Sequence, residues 1–130
     1  MRQTFGKDER LHKKILIKKL FTEGVSFFVY PFRVTTLQTD FSPVPPVQIL
    51  ISVPKQSFKN AVDRNLLKRR IREAYRKNKQ VLYKSLQEKH IKILVCFTYT
   101  AKVILPFSVI QDKIIILLQR LMEGNGKTPG

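Results

Sequence analysis

A chain of 130 residues has room for one compact domain with a modest core, and it excludes two domains of ordinary size. Its hydrophobic share of 43% is that of a globular protein, but 25 basic residues against 9 acidic ones give a formal charge of +16. A charge of that size repels itself in a compact state and calls for a polyanionic partner, either nucleic acid or an anionic membrane surface.

No apolar run approaches the roughly 20 residues a membrane span needs, and residues 1–19 are charged throughout with no signal-peptide core, so a cytoplasmic protein is expected. The single cysteine, Cys96, excludes an internal disulfide and a cysteine-based metal site. Its place within Ile93-Leu94-Val95-Cys96-Phe97 reads as a buried thiol.

Over 8–23, Leu11, Ile15, Leu16, Ile17, Leu20 and Phe21 alternate with lysines at near-helical spacing, and Gly24 offers a stop. These apolar residues occupy more than one face, so this first helix is expected to touch a sheet on one side and leave a second surface partly open. Residues 27–37 are aromatic and β-branched, interrupted by Pro31, and predict a short strand, a junction and a longer strand. Residues 40–46 are a proline-rich loop. Val47, Ile49, Ile51 and Val53 alternate along a third strand ended by Pro54, and Ile91, Ile93, Val95 and Phe97 along a fourth whose other face is also apolar, as in the centre of a sheet. Between them, over 60–88, Leu67, Ile71 and Tyr75 recur every four residues with Ala74 beside them, a second helix with Asn60 as its cap. The last helix is expected to start at Ser108, which forms an S-x-x-Q capping box with Gln111, and to bury Ile110, Ile114, Leu117, Leu118 and Leu121. Residues 1–123 thus read as a single domain and 124–130 as a flexible C-terminal tail.

The charge is concentrated on the second helix and its approach. From Lys55 to Lys79, ten basic residues face only Asp63 and Glu73, so half of the net charge sits in 25 residues. Arg64, Lys68, Arg72 and Arg76, spaced by four, form a cationic stripe rotated from the apolar one. Like charges at that spacing oppose helix formation by a few tenths of a kcal/mol per pair. A solvated amphipathic face usually mixes glutamate with lysine, so phosphate binding explains the stripe better. The nine acids are scattered with no compact pair, and His12 and His90 come from unrelated, polar contexts, so a protein-borne acid–base or two-metal hydrolase is not expected. Strands flank the basic helix and no second helix follows by a tight turn, which argues against a helix-turn-helix DNA module. A ribosomal or RNA-chaperone protein is the nearer competitor, and a membrane-surface role the more distant one.

Residues Ala61-Val62-x-Arg64-Asn65-x-x-Lys68-Arg69-x-x-Arg72-Glu73 hold every fixed position of the signature helix of the bacterial ribonuclease P protein component, and the chain resembles that family over nearly its whole length. The resemblance implies an α+β fold, a single-domain α/β sandwich in the order α-β-β-β-α-β-α, similar to the second domain of ribosomal protein S5 and with a left-handed βαβ crossover. It implies a protein subunit of a ribonucleoprotein endonuclease that removes the 5′ leader of precursor transfer RNA. The RNA subunit would carry the catalysis, with magnesium bound mainly by the RNA, and no further protein partner would be required. RNA contact would fall to Lys55, Lys59, Arg64, Asn65, Lys68, Arg69, Arg72 and Arg76. A leader cleft would be lined by Ile17, Phe21, Arg33 and Thr35, where Ile17 and Thr35 depart from the aromatic residues often found at those positions, and Gln56 replaces the second lysine of a common pair.

Overall fold

In a computed structural model, which describes residues 9–39 and 46–123, the chain runs α1 (Lys14–Glu23), β1 (Val25–Val29), β2 (Phe32–Thr39), β3 (Val47–Ser52), α2 (Ala61–Glu88), β4 (Lys92–Tyr99) and α3 (Phe107–Met122). This is the expected element order. The sheet order is β1-β2-β4-β3, with β2 antiparallel to β1 and β4, and β3 parallel to β4. The strand apolar on both faces, β4, is an interior strand between β2 and β3, and it is covered on both sides. Ile93, Val95 and Phe97 join the larger core with Phe32, Val34, Val47 and Ile49 under α2 and α3, while Leu94 and Cys96 meet Leu11, Leu16 and Leu20 under α1. Removing each such side chain from water contributes about 1.5–3 kcal/mol before ordering costs.

Pro31 sits in the turn between β1 and β2. Gly24 ends α1 as expected, but by close approach rather than by a left-handed conformation: its φ is −73°, and a Cβ there would strike the Leu20 carbonyl and lie 2.9 Å from the Thr36 carbonyl.

Several boundaries differ from the sequence reading. The first helix begins at Lys14 rather than residue 8, because residues 10 and 11 serve the sheet instead: Arg10 bridges Ile49 in parallel fashion and Leu11 N–H donates to the Ile49 carbonyl at 2.8 Å. The Ser108–Gln111 capping box does not form. Phe107 already lies in α3, Pro106 occupies the cap position, and the Gln111 side chain instead accepts a hydrogen bond from Asn78 Nδ2 of α2 at 3.2 Å. Asn60 occupies the cap of α2 but makes no side-chain cap bond. The loop at 40–45 and the tail at 124–130 lie outside the described residues.

Candidate nucleic-acid interface

The approach to α2 is anchored from beneath. Ser57 and Phe58 N–H both donate to the Pro54 carbonyl, and the Phe58 ring is buried 6.0 Å from that of Tyr99. With Phe58 pinned, Lys55, Gln56 and Lys59 point to solvent. Arg64 then straps this turn to the helix, its Nη1 donating to the carbonyls of Phe58 at 2.7 Å and Lys59 at 2.9 Å. That arginine ties the approach loop to the helix through two carbonyls, a different bond from the N–H cap that the Asn60 side chain leaves unmade.

Along α2, Leu67, Ile71, Ala74 and Tyr75 are buried, whereas Asn65 and Arg69 are exposed and Lys68 and Arg72 half-exposed. The side chains of Asn65, Lys68 and Arg69 make no hydrogen bond or ion pair with other described residues. Adjacent arginines have separate jobs: Arg70 donates to the Leu105 carbonyl at 2.7 Å and ties down the loop before α3, while Arg69 faces outward. Partial burial, and then the neighbouring Arg10 cation, pull the Arg72 guanidinium below its ordinary value. Two cations crowded in this way are relieved by a shared phosphate. Arg76 is less available than its spacing suggests, since it is bound to Glu73, whose carboxyl is held below the usual range chiefly by that hydrogen bond. Lys79 contributes no surface charge: it is buried against Glu9 and the Tyr83 ring.

The expected cleft residues fall on the opposite face of the sheet, beside α1. Ile17 is half-buried against the cluster of Leu11, Leu16, Leu20, Leu94 and Cys96, and Phe21, one turn further on, is 54% exposed. Thr35 is buried, its hydroxyl 3.0 Å from that of Ser26, while Arg33 two residues earlier is exposed. The two expected surfaces thus lie on different sides of the molecule, the stripe on α2 and the cleft under α1.

A model of the Ribonuclease P family matches residues 5–122. The chain belongs to the ribonuclease P protein family. It is 44% identical over 96 residues to the ribonuclease P protein component of Porphyromonas gingivalis, spanning 72% of this chain and 70% of that relative. With the protein component of Chlorobium phaeobacteroides the identity is 34% over 125 residues, 88% and 86% of the two chains. The structure of the RNase P protein from Thermotoga maritima superposes with a TM-score of 0.66 at 25% identity, covering 86% of this chain and 96% of that one.

For a ribonuclease P protein, this structure adds residues that the sequence reading did not single out. Arg10 joins the α2 cations only through the pairing of residue 10 with β3, a long-range contact with no local signal. Phe28 is exposed on the α1 face next to Arg33, and the doublet Phe27-Phe28 carried the hint, since one of two neighbouring strand residues must point away from the core. Among the described residues no three His, Cys, Asp or Glu side chains gather to hold a metal ion. No described helix is long and apolar enough to cross a membrane.

Proposed function

We propose that this chain is the protein subunit of a ribonucleoprotein that removes the 5′ leader from precursor transfer RNA, in which the RNA subunit cleaves the phosphodiester with magnesium bound to RNA. The observation that carries this reading is the outward face of α2, where Asn65, Lys68, Arg69 and Arg72 are presented on a helix whose other face is buried. Together with Lys55, Lys59 and the part of the Arg64 guanidinium not committed to the turn, they form a rigid row of donors for phosphates of the RNA subunit. Neutralising those phosphates releases counterions, which supplies affinity and makes it salt-dependent. Arg76 contributes there once RNA phosphate competes with Glu73 for it.

The protein's role in the reaction is positional. Ile17, Phe21, Arg33 and Thr35 would line the path of the single-stranded leader, Phe21 with an exposed ring and Arg33 with an exposed cation, while Thr35 is buried. Holding the leader fixes the scissile bond against the RNA and lowers the entropic part of the barrier. Two of the chain's acids fit this division of labour: Glu73 is bound to Arg76, and Glu9 lies in a buried network with Lys79 and Tyr83.

The test is cleavage of a precursor transfer RNA at low magnesium by this protein alone, by a bacterial ribonuclease P RNA alone and by the two together. Cleavage in the mixture only is the expected result. Cleavage by the protein alone overturns the assignment of catalysis to RNA, and an inert mixture overturns the assignment of the subunit.

A further inference from the structure

The α1 face of the sheet extends past the cleft onto β1. In the antiparallel register Ser26 stands opposite Thr35 and Phe28 opposite Arg33, so all four side chains point to the same side, and the hydroxyl contact between Ser26 and Thr35 marks that side. Phe27 points the other way into the core. Its ring is covered by the Arg120 guanidinium at 4.3 Å, and Arg120 also donates to the Phe28 carbonyl at 3.2 Å. The strand is therefore pinned from behind, and Phe28 is presented forward on a rigid support. Phe28 is 53% exposed, Tyr30 is 52% exposed, and their ring centroids lie 6.3 Å apart. Two large rings left in water beside an exposed arginine are a costly arrangement for a strand whose core needs are already met by Phe27.

Thr35, small and buried, offers no ring at its own position; the ring on this side belongs to Phe28. We propose that Phe28, with Tyr30 beside it and Arg33 across the strand, is a stacking station for an unpaired nucleotide of the 5′ leader, so that the leader crosses from Phe21 on α1 over β2 onto β1. This rests on the leader-binding reading above. The chemistry matches single-stranded RNA: a planar apolar face takes the base, a neighbouring guanidinium takes its phosphate, and neither demands a particular base. Strand geometry places the station two residues along β1 from Ser26 and one strand over from Thr35, about 8 Å from the latter. The contact therefore requires a leader long enough to pass the α1 cleft.

The experiment uses the holoenzyme assembled with a bacterial ribonuclease P RNA and a series of precursor transfer RNAs whose leaders lengthen one nucleotide at a time, with affinity measured relative to mature transfer RNA. The wild-type protein is expected to gain affinity in steps. In Phe28→Ala one late step is expected to shrink by about tenfold, the weight of one stacked base, while the earlier steps persist. Phe28→Trp keeps that step, which separates stacking from loss of fold. A Phe28→Ala series that follows the wild type throughout overturns the proposal and leaves leader binding in place. A wild-type series that is flat overturns leader binding itself, and the Phe28 station with it.

Discussion

Lys79 shows what a residue's surroundings do to its charge. It is buried, bound to Glu9, and lies 5.3 Å from the Tyr83 ring centre. Tyr83 donates to Glu9 Oε1 at 2.6 Å and receives a contact from the Tyr75 hydroxyl at 3.3 Å; burial first of all pushes both phenols up. Removing one partner takes the opposite charge away from the other in a poor solvent. Lys79→Met is expected to destabilise the protein by about 3 kcal/mol, and adding Glu9→Gln should recover part of that loss, as a double-mutant cycle by urea unfolding will show. Gly24 makes a different residue-scale demand. A methyl group there meets two backbone carbonyls that cannot swing away, so Gly24→Ala is expected to cost about 1–3 kcal/mol in the same assay although its φ suits alanine.

At the scale of the element, α2 is defined as much by its ends as by its stripes. Its C-terminus closes with His90 at φ 57°, His90 N–H on the Gln87 carbonyl and Ile91 N–H on the Leu86 carbonyl at 2.9 Å, the paired pattern in which glycine is the usual residue. His90→Gly relieves the left-handed strain at some cost in unfolded-state entropy, and a net gain of about 0.5–1 kcal/mol is expected, seen as a thermal midpoint raised by roughly 2–4 °C. At the N-terminus, Arg64 both closes the turn and lies in the stripe, whereas the Arg69 side chain makes no bond within the described protein. Arg64→Ala is therefore expected to lower both stability and RNA affinity, the former by about 1 kcal/mol. Arg69→Ala should lower RNA affinity alone, which thermal melts alongside filter binding will separate.

For the whole molecule, charge and topology act together. The sheet places a cationic helix on one side and the aromatic face of α1, β1 and β2 on the other, so that one rigid body presents two separate surfaces. Affinity for the RNA subunit is expected to fall steeply with salt, and the variant lacking Lys68, Arg69 and Arg72 should lose roughly 0.7–0.9 of log-log slope for each phosphate contact removed. An unchanged slope would mean that the α2 face does not carry the phosphates.

The sequence by itself determined the order of the elements, the centrality of β4 and the cationic face of α2, because these follow from periods of two and of about four residues and from a signature on one helix. Buried Cys96 and exposed His12 and His90 were legible for the same reason, each lying in a segment whose polarity decides its place. Only the tertiary structure decided the start of α1, where pairing of Arg10 and Leu11 with Ile49 outcompetes another helical turn, and the cap of α3, where Gln111 serves α2. It alone separated the arginines at 64, 70 and 76, which bond to the protein itself, from Arg69, and it turned Phe28 toward the Arg33 side of the sheet. Those outcomes depend on partners distant in sequence, and residue spacing contains no term for which distant group a guanidinium, an amide or a ring will meet.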